Sequence, residues 1–432
     1  LSSLVLAACG PMNMSGNLNA SRFNNSRALV SRQSVGQAAP SGTVIPGEFL
    51  VKFRPGVRSA NSFSAFGGQT VRTLGRSGIQ LVRMQPGVQA QSLSRNPAIE
   101  WIEPNRVISL PREQRQSGLQ ALAVPSFPND PMFAKQYSHK VTQAQAGWQL
   151  SQGNQAPVTI AIVDTGVDIT HPDLRDKVVP GHSSFPESEF GKDMNGHGTH
   201  CAGIAAASIN NGIGVAGVAP AARIQPVKVL DDSGSGTNAS VAEGIDWAAE
   251  NGAQVISMSL GGPAPSRAIE EAVKKALAHN IVVVAATGND GNADLSYPAA
   301  IPGVMAIGAT DAQDKLASFS QFGPHVSVTA PGVNILSTFP LNTNDIGMTE
   351  YGSISGTSMA TPYVAGLVAL VRGTAPQLNA LQVRQRIEQS SDDLGTKGFD
   401  NRFGHGRVNV AKALQGLVSA PGAQMSSMAF RR

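Results

Sequence analysis

From residue 159 onward, short runs in which nearly every residue is apolar alternate with stretches whose apolar residues recur every three or four positions. Residues 159–163, 255–259 and 281–285 are runs of the first kind and predict strands covered on both faces. Residues 240–250 and 266–279 are of the second kind and predict helices lying on such a sheet. The alternation predicts an α/β domain over 128–417, a doubly wound, mostly parallel sheet with helices on both faces. In such a sheet ligands sit at the carboxyl ends of the strands. Upstream the pattern changes. Residues 48–53, 79–84 and 99–103 read as strands with Gly/Pro turns between them, which predicts a small α+β unit over 43–110. A polar link over 111–127, with Arg112 and Arg115, reads as an exposed, cleavable loop. Residues 10–42 are rich in Ser, Asn, Gln and Gly and predict a flexible tether, and 418–432 a disordered tail.

Charge changes this picture in one respect. Residues 1–128 carry 13 Lys/Arg against 4 Asp/Glu, and the remainder 20 against 25, so the two parts are of opposite sign. The arginines are scattered without aromatic or helical patterning, which argues against nucleic acid and for a contact between the two parts of one chain. No apolar run approaches the roughly 18 residues of a membrane span. The first ten residues resemble the end of a bacterial lipoprotein signal, with Leu6-Ala7-Ala8 before Cys9. Cys9 is therefore a candidate lipidation site and the only expected link to a membrane. An ordinary secretory signal would equally mean export.

Candidate chemistry collects at strand and helix ends. Asp164 follows the run 159–163, and His197 lies among glycines at the start of a small-residue helix over 201–207. Asn289 stands just beyond the run 281–285. Ser358, in Gly356-Thr357-Ser358-Met359-Ala360-Thr361-Pro362, precedes a helix apolar nearly all round. Pro362 is expected in its first turn. A lone Gly-Thr-Ser is more often a helix cap than a nucleophile. A carboxylate, an imidazole, a hydroxyl at a helix N-terminus and an amide donor are, however, the groups that acyl transfer requires.

These motifs closely resemble the subtilisin-like serine proteases, over roughly residues 127–415 and in the order Asp, His, Ser. The resemblance implies that Asp164 orients, His197 acts as base and acid, and Ser358 attacks, while Asn289 and the Ser358 N–H hold the oxyanion. It implies extended polypeptide substrates, bound along Gly234, Ser235 and Gly236 on one side and Ser259, Leu260 and Gly261 on the other. Ser296 would floor the specificity pocket and Thr287 would line it. Thr287 and Tyr363 depart from the family's usual small residue and histidine. The 43–110 unit resembles the family's prodomain, a chaperone and tethered inhibitor, most clearly at Trp101-Ile102-Glu103-Pro104-Asn105. A structural calcium ion is implied, with no catalytic cofactor. Its ligands would be the Asp130 and Asp173 carboxylates, the Asn211 side-chain oxygen and the carbonyls of Ser208, Ile213 and Val215. A second site is poorly supplied, with only Glu187, Glu189 and Asp193 nearby. A monomer is expected.

Other readings are weaker. Gly212-Ile213-Gly214-Val215-Ala216-Gly217 fits a dinucleotide fingerprint but follows a helix rather than a strand. His197, His200 and Cys201 lack the spacing and the glutamate of a zinc protease, so His200 is expected to be a packed helix residue. Cys201 has only Cys9 as a conceivable partner and is expected free and buried, similar to a cysteine some family members carry near the histidine. A binding-only member of the fold would have lost a triad residue, and none is lost. The discriminating observation is fluorophosphonate labelling of Ser358.

Overall fold

The computed structural model describes residues 39–56, 68–85, 93–115, 127–342 and 344–417. Cys9, the tether up to residue 38, the middle of the link (116–126) and the tail from 418 lie outside them. The strands are β1 (Val44–Phe53), β2 (Gly68–Leu74), β3 (Ile79–Met84), β4 (Ile99–Ser109), β5 (Gln114–Arg115), β6 (Thr159–Asp164), β7 (His182–Ser183), β8 (Arg223–Lys228), β9 (Ser235–Thr237) and β10 (Val255–Met258). They continue with β11 (Val282–Ala286), β12 (Met305–Thr310), β13 (Val326–Pro331), β14 (Ile335–Thr338) and β15 (Tyr351–Ser355). The helices are α1 (Tyr137–Val141), α2 (Ala144–Leu150), α3 (His197–Ala206), α4 (Asn238–Glu250), α5 (Arg267–Ala278), α6 (Thr357–Thr374), α7 (Ala380–Ser390) and α8 (Val410–Leu414).

The central sheet has the order β13-β12-β11-β10-β6-β8-β7 and every neighbouring pair is parallel. The strict two-residue alternation of its strands decides which layer each side chain joins. Ile160 and Ile162 point into a core shared with α3 and α6, whereas Ala161 and Val163 point into a second core under α4 and α5. Both faces are thereby dry, which is why the strand runs carry almost no polar residue. After β6 the chain builds β8 on one side, and β10 to β13 on the other. The order reverses between β6 and β10, and the crevice outside their carboxyl ends is where a ligand is expected.

The upstream unit is an antiparallel sheet of order β2-β3-β1-β4. Leu50, Leu81 and Trp101 on one face pack into the core of α4 and α5, while Phe49, Val51 and Val82 form a separate core on the other. β2 was not foreseen. It is an edge strand whose residues between Gly68 and Leu74 are mostly exposed, so it shows no alternation. β4 runs six residues beyond its expected end and pairs antiparallel with β9, making one five-stranded sheet of both parts of the chain.

That junction is polar as well as apolar. The Glu103 carboxylate accepts from Ser266 Oγ (2.8 Å), Arg267 N (2.9 Å) and Ala268 N (3.1 Å), capping α5. Asn105 Oδ1 accepts from Ala239 N (3.2 Å) at the start of α4. A carbonyl or carboxylate oxygen at each helix N-terminus meets unpaired N–H groups and the positive end of the dipole. Lys52 pairs with Glu271 (2.6 Å) and Arg72 with Glu243 (3.0 Å), so part of the charge asymmetry of the sequence meets across this contact.

Candidate active site

Asp164 is the last residue of β6, so its carboxylate emerges at the switch point. His197 opens α3, four residues earlier than expected. Gly196 provides the left-handed turn before it, with φ of 102°. A side chain at Gly198 would run into the Gly166 carbonyl, so the glycines let α3 approach the Asp164 loop. His197 Nδ1 lies 2.7 Å from Asp164 Oδ1, both fully buried. Asp193, which the sequence offered only as a poor metal ligand, anchors this corner instead. Its carboxylate accepts from Thr165 Oγ1, Asn195 N, Gly196 N, and Thr199 N and Oγ1.

Ser358 is the second residue of α6 and its N–H has no acceptor within the helix. Pro362 does not lie in the first turn: α6 begins at Thr357, which places the proline one turn further in. Its missing N–H leaves the Ser358 carbonyl without a helical donor. Ser259 Oγ (2.7 Å) and Cys201 Sγ (3.6 Å) donate to that carbonyl instead. Asn289 is oriented from behind, where its Oδ1 accepts from Thr357 N (2.9 Å) and Thr357 Oγ1 (2.8 Å), turning Nδ2 to the crevice. Ser358 Oγ does not bond His197 but donates to Ser259 O at 3.4 Å.

The crevice is filled by the chain itself. Val107, Ile108 and Ser109 pair with Thr237, Gly236 and Ser235. Leu110 N donates to Gly234 O (3.1 Å), and on the other side Gly261 N donates to Ser109 O (3.2 Å). Asn289 Nδ2 donates to Arg112 O at 2.9 Å. Gln114 and Arg115 then pair antiparallel with Ser355 and Ile354 of β15. The start of the link is thus exposed at Arg112 and Gln114, yet it is tethered: Val107–Ser109 pair with β9 before it and Gln114–Arg115 with β15 after it, on either side of the triad. Glu113 Oε1 lies 2.8 Å from His197 Nε2, too poorly aligned for a hydrogen bond, and neither atom has another partner.

Burial lowers the His197 pKa, but Asp164, Cys201 and Glu113 outweigh it and hold it well above 6.5. Cys201 is pushed up to about 11 by burial and is a neutral thiol at neutral pH, so the two carboxylates do most of this holding. His200 is a packed residue, as expected, with Nε2 against Ile335 O and Gly352 O and a pKa lowered to about 3 by burial.

The pocket residues are more mixed. Ser296 packs beneath Gly261, where any side chain would strike its hydroxyl, and Leu260 is fully buried. Thr287, expected to line the pocket, is fully buried, with Oγ1 donating to Ile307 O. Tyr363 faces away from the site, its hydroxyl 3.2 Å from His139 Nδ1.

At some remove, Asp130 and Asp173 meet the loop 208–215. Asp130 accepts from Asn210 N (2.8 Å) and Asn211 N (3.2 Å); Asp173 accepts from Asn211 Nδ2 (2.7 Å), Val215 N (3.0 Å) and the Tyr351 hydroxyl (2.9 Å). Asn211 Oδ1 accepts from Ile213 N (3.0 Å), closing the loop on itself. Burial raises both carboxylates, and Asp173 further raises Asp130. Two buried carboxylates beside each other are the donor type a hard cation takes, although their partners here are N–H and O–H groups and the Asn211 oxygen is engaged by Ile213 N.

Residues 155–406 match the subtilase family, and residues 32–105 match the fervidolysin N-terminal prodomain. The chain belongs to the subtilase family. Thermitase from Thermoactinomyces vulgaris is 46% identical over 289 residues, which cover 67% of this chain and 99% of thermitase. A thermophilic serine proteinase from Bacillus sp. (strain AK1) is 38% identical over 380 residues, 86% of this chain and 88% of the relative. The solved structure of fervidolysin from Fervidobacterium pennivorans, a keratinolytic enzyme related to subtilisin, superposes with a TM-score of 0.74 at 29% identity. The match covers 88% of this chain and 62% of fervidolysin. This subtilase is therefore a subtilisin-like serine protease that carries a prodomain.

Proposed function

We propose that the chain is an exported serine endopeptidase made as a self-inhibited, self-processing precursor that cleaves extended polypeptides through an acyl-enzyme. Ser358 attacks the scissile carbonyl and His197 takes its proton and returns it to the leaving amine. Asp164 fixes the imidazole tautomer and stabilises the imidazolium. Asn289 Nδ2 and the Ser358 N–H hold the oxyanion at a helix N-terminus. Gly234, Ser235 and Gly236 with Ser259, Leu260 and Gly261 receive the substrate backbone as an added strand, which gives affinity without side-chain demands.

The observation that carries this reading is the chain's own 107–115 segment lying extended through the crevice with a carbonyl on Asn289. A segment bound like a substrate, at the end of a unit docked by Glu103, Asn105 and Trp101, is an inhibitor in place. In this reading residues 43–110 inhibit and assist folding, 111–127 are the link to be cut, and 128–417 are the enzyme. Asp130, Asp173, Asn211, Ser208, Ile213 and Val215 would hold a calcium ion, which supplies charge to a loop that is otherwise two buried carboxylates. The relatives' prodomain architecture supports export, and the attachment of lipid to Cys9 rests on the signal-like residues alone.

Fluorophosphonate labelling tests the chemistry. Processed protein should carry the adduct on Ser358, and Ser358→Ala should accumulate as the intact chain when purified free of other proteases. A processed protein that takes no label would make the fold a binding module, and a cut Ser358→Ala chain would exclude self-processing.

A further inference from the structure

We propose that maturation cuts the peptide bond between Arg112 and Glu113, and that the Glu113 side chain delays the cut by occupying the catalytic histidine. The inference rests on the self-processing reading above and goes beyond it by assigning one bond and one timing residue.

The backbone is fixed on both sides of that bond. Upstream, Ser109 and Leu110 are held by Gly261, Ser235 and Gly234. Downstream, Gln114 and Arg115 are held by Ser355 and Ile354. Between them one carbonyl, that of Arg112, receives the Asn289 amide at 2.9 Å. An oxyanion donor marks the carbonyl that becomes tetrahedral, so the Asn289 contact points to the bond that follows Arg112. Arg112 is exposed. The bond is therefore chosen by where the backbone is held, not by recognition of arginine.

Ser358 needs His197 Nε2 as its base, and that atom faces Glu113 Oε1 at 2.8 Å. With Asp164 at 2.7 Å on Nδ1, the ring is enclosed between two carboxylates, and Ser358 Oγ rests on Ser259 O. Flanked in this way the imidazole stays protonated and cannot accept from serine. Once Glu113 swings off and the ring gives up that proton to water, Ser358 Oγ adds to the Arg112 carbonyl carbon as its own proton passes to Nε2. The C–N bond breaks, Nε2 returns the proton to the Glu113 nitrogen, and an Arg112–Ser358 ester remains. One water then hydrolyses the ester, leaving the Arg112 carboxylate and the free serine.

The test follows full-length wild type by intact mass at early times. The first two fragments should end at Arg112 and begin at Glu113, their masses summing to the precursor plus one water. A first complementary pair formed at any other bond overturns the assignment while self-processing stands. Cutting of Ser358→Ala overturns the underlying reading instead. Arg112→Ala should keep the same bond, and a moved cut would show that arginine is recognised. Glu113→Gln and Glu113→Ala should each process about tenfold faster at neutral pH, the order expected for losing one close charge pair. Unchanged or slower processing in both, at the same bond, would overturn the delaying role.

Discussion

Glu103 offers a direct measure of how the prodomain grips the enzyme. Its carboxylate takes three donors from the start of α5, at 2.8, 2.9 and 3.1 Å, while the apolar face of β1, β3 and β4 packs beside it. A hydrogen bond to a charged group contributes about 1.5–3 kcal/mol, and the helix terminus adds about 0.3–1 kcal/mol. The three bonds do not sum, because water reaches this rim and takes over the donors when the carboxylate is removed. A net loss of about 2–3 kcal/mol is expected for Glu103→Ala, which corresponds to about a 30- to 150-fold weaker complex. Glu103→Gln keeps an acceptor but loses the charge and should fall between. The assay is inhibition of the mature enzyme by a 39–112 peptide in trans, read with a chromogenic substrate. A Glu103→Ala peptide that inhibits within threefold of wild type would refute the reasoning, since it would leave the apolar face to carry the contact alone. The wild-type constant should also weaken with salt, because Lys52–Glu271 and Arg72–Glu243 are only half-buried and screening acts over about 8–10 Å.

Two further outcomes follow from the buried charges. Glu113 helps to hold His197 above its ordinary pKa in the precursor, so this contact is firm while the imidazole is protonated and loses hold as pH rises through the raised pKa. The same rise frees the base, so the rate of precursor loss on gels should climb from neutral into alkaline pH; a flat or falling profile would contradict this. Chelation of the mature enzyme should lower its Tm by roughly 10 °C, the effect of about 4 kcal/mol when calcium is a thousandfold above its Kd. Asp173→Asn should remove most of that sensitivity, and an unchanged Tm after exhaustive chelation would mean that no calcium is held.

The α/β architecture was legible because its strands are dry on both faces, and the candidate residues because each sits in a dense motif at a strand or helix end. What the sequence hid depended on distant partners. Pro362 could be misplaced by a turn because the start of α6 is set by Asn289 receiving the Thr357 N–H, a contact across 68 positions. Asp193 looked like a spare carboxylate because two of its partners, Thr165 and Thr199, reach it only once the Asp164 loop and α3 are in place. Nothing in a polar stretch with two arginines indicates that its first five residues return to the crevice, so the roles of Arg112 and Glu113 had no local signal. β2 escaped notice for the plainer reason that an exposed edge strand has no apolar alternation to read.

The joining of β4 to β9 in one sheet has a consequence for what happens after the link is severed. On the self-processing reading proposed above, the inhibiting strand is covalently attached before the cut and sees the crevice at an effective concentration on the order of millimolar. Afterwards the same hydrogen bonds, the same helix caps and the same apolar face persist, but their hold depends on how much protein is present. Severing the chain therefore does not switch the enzyme on; dilution does. A crowded site of synthesis keeps the pair together, and dispersal away from it lets the free enzyme accumulate and digest the departed prodomain. On that reading the shared sheet makes dilution, rather than the cut itself, the step that times proteolysis.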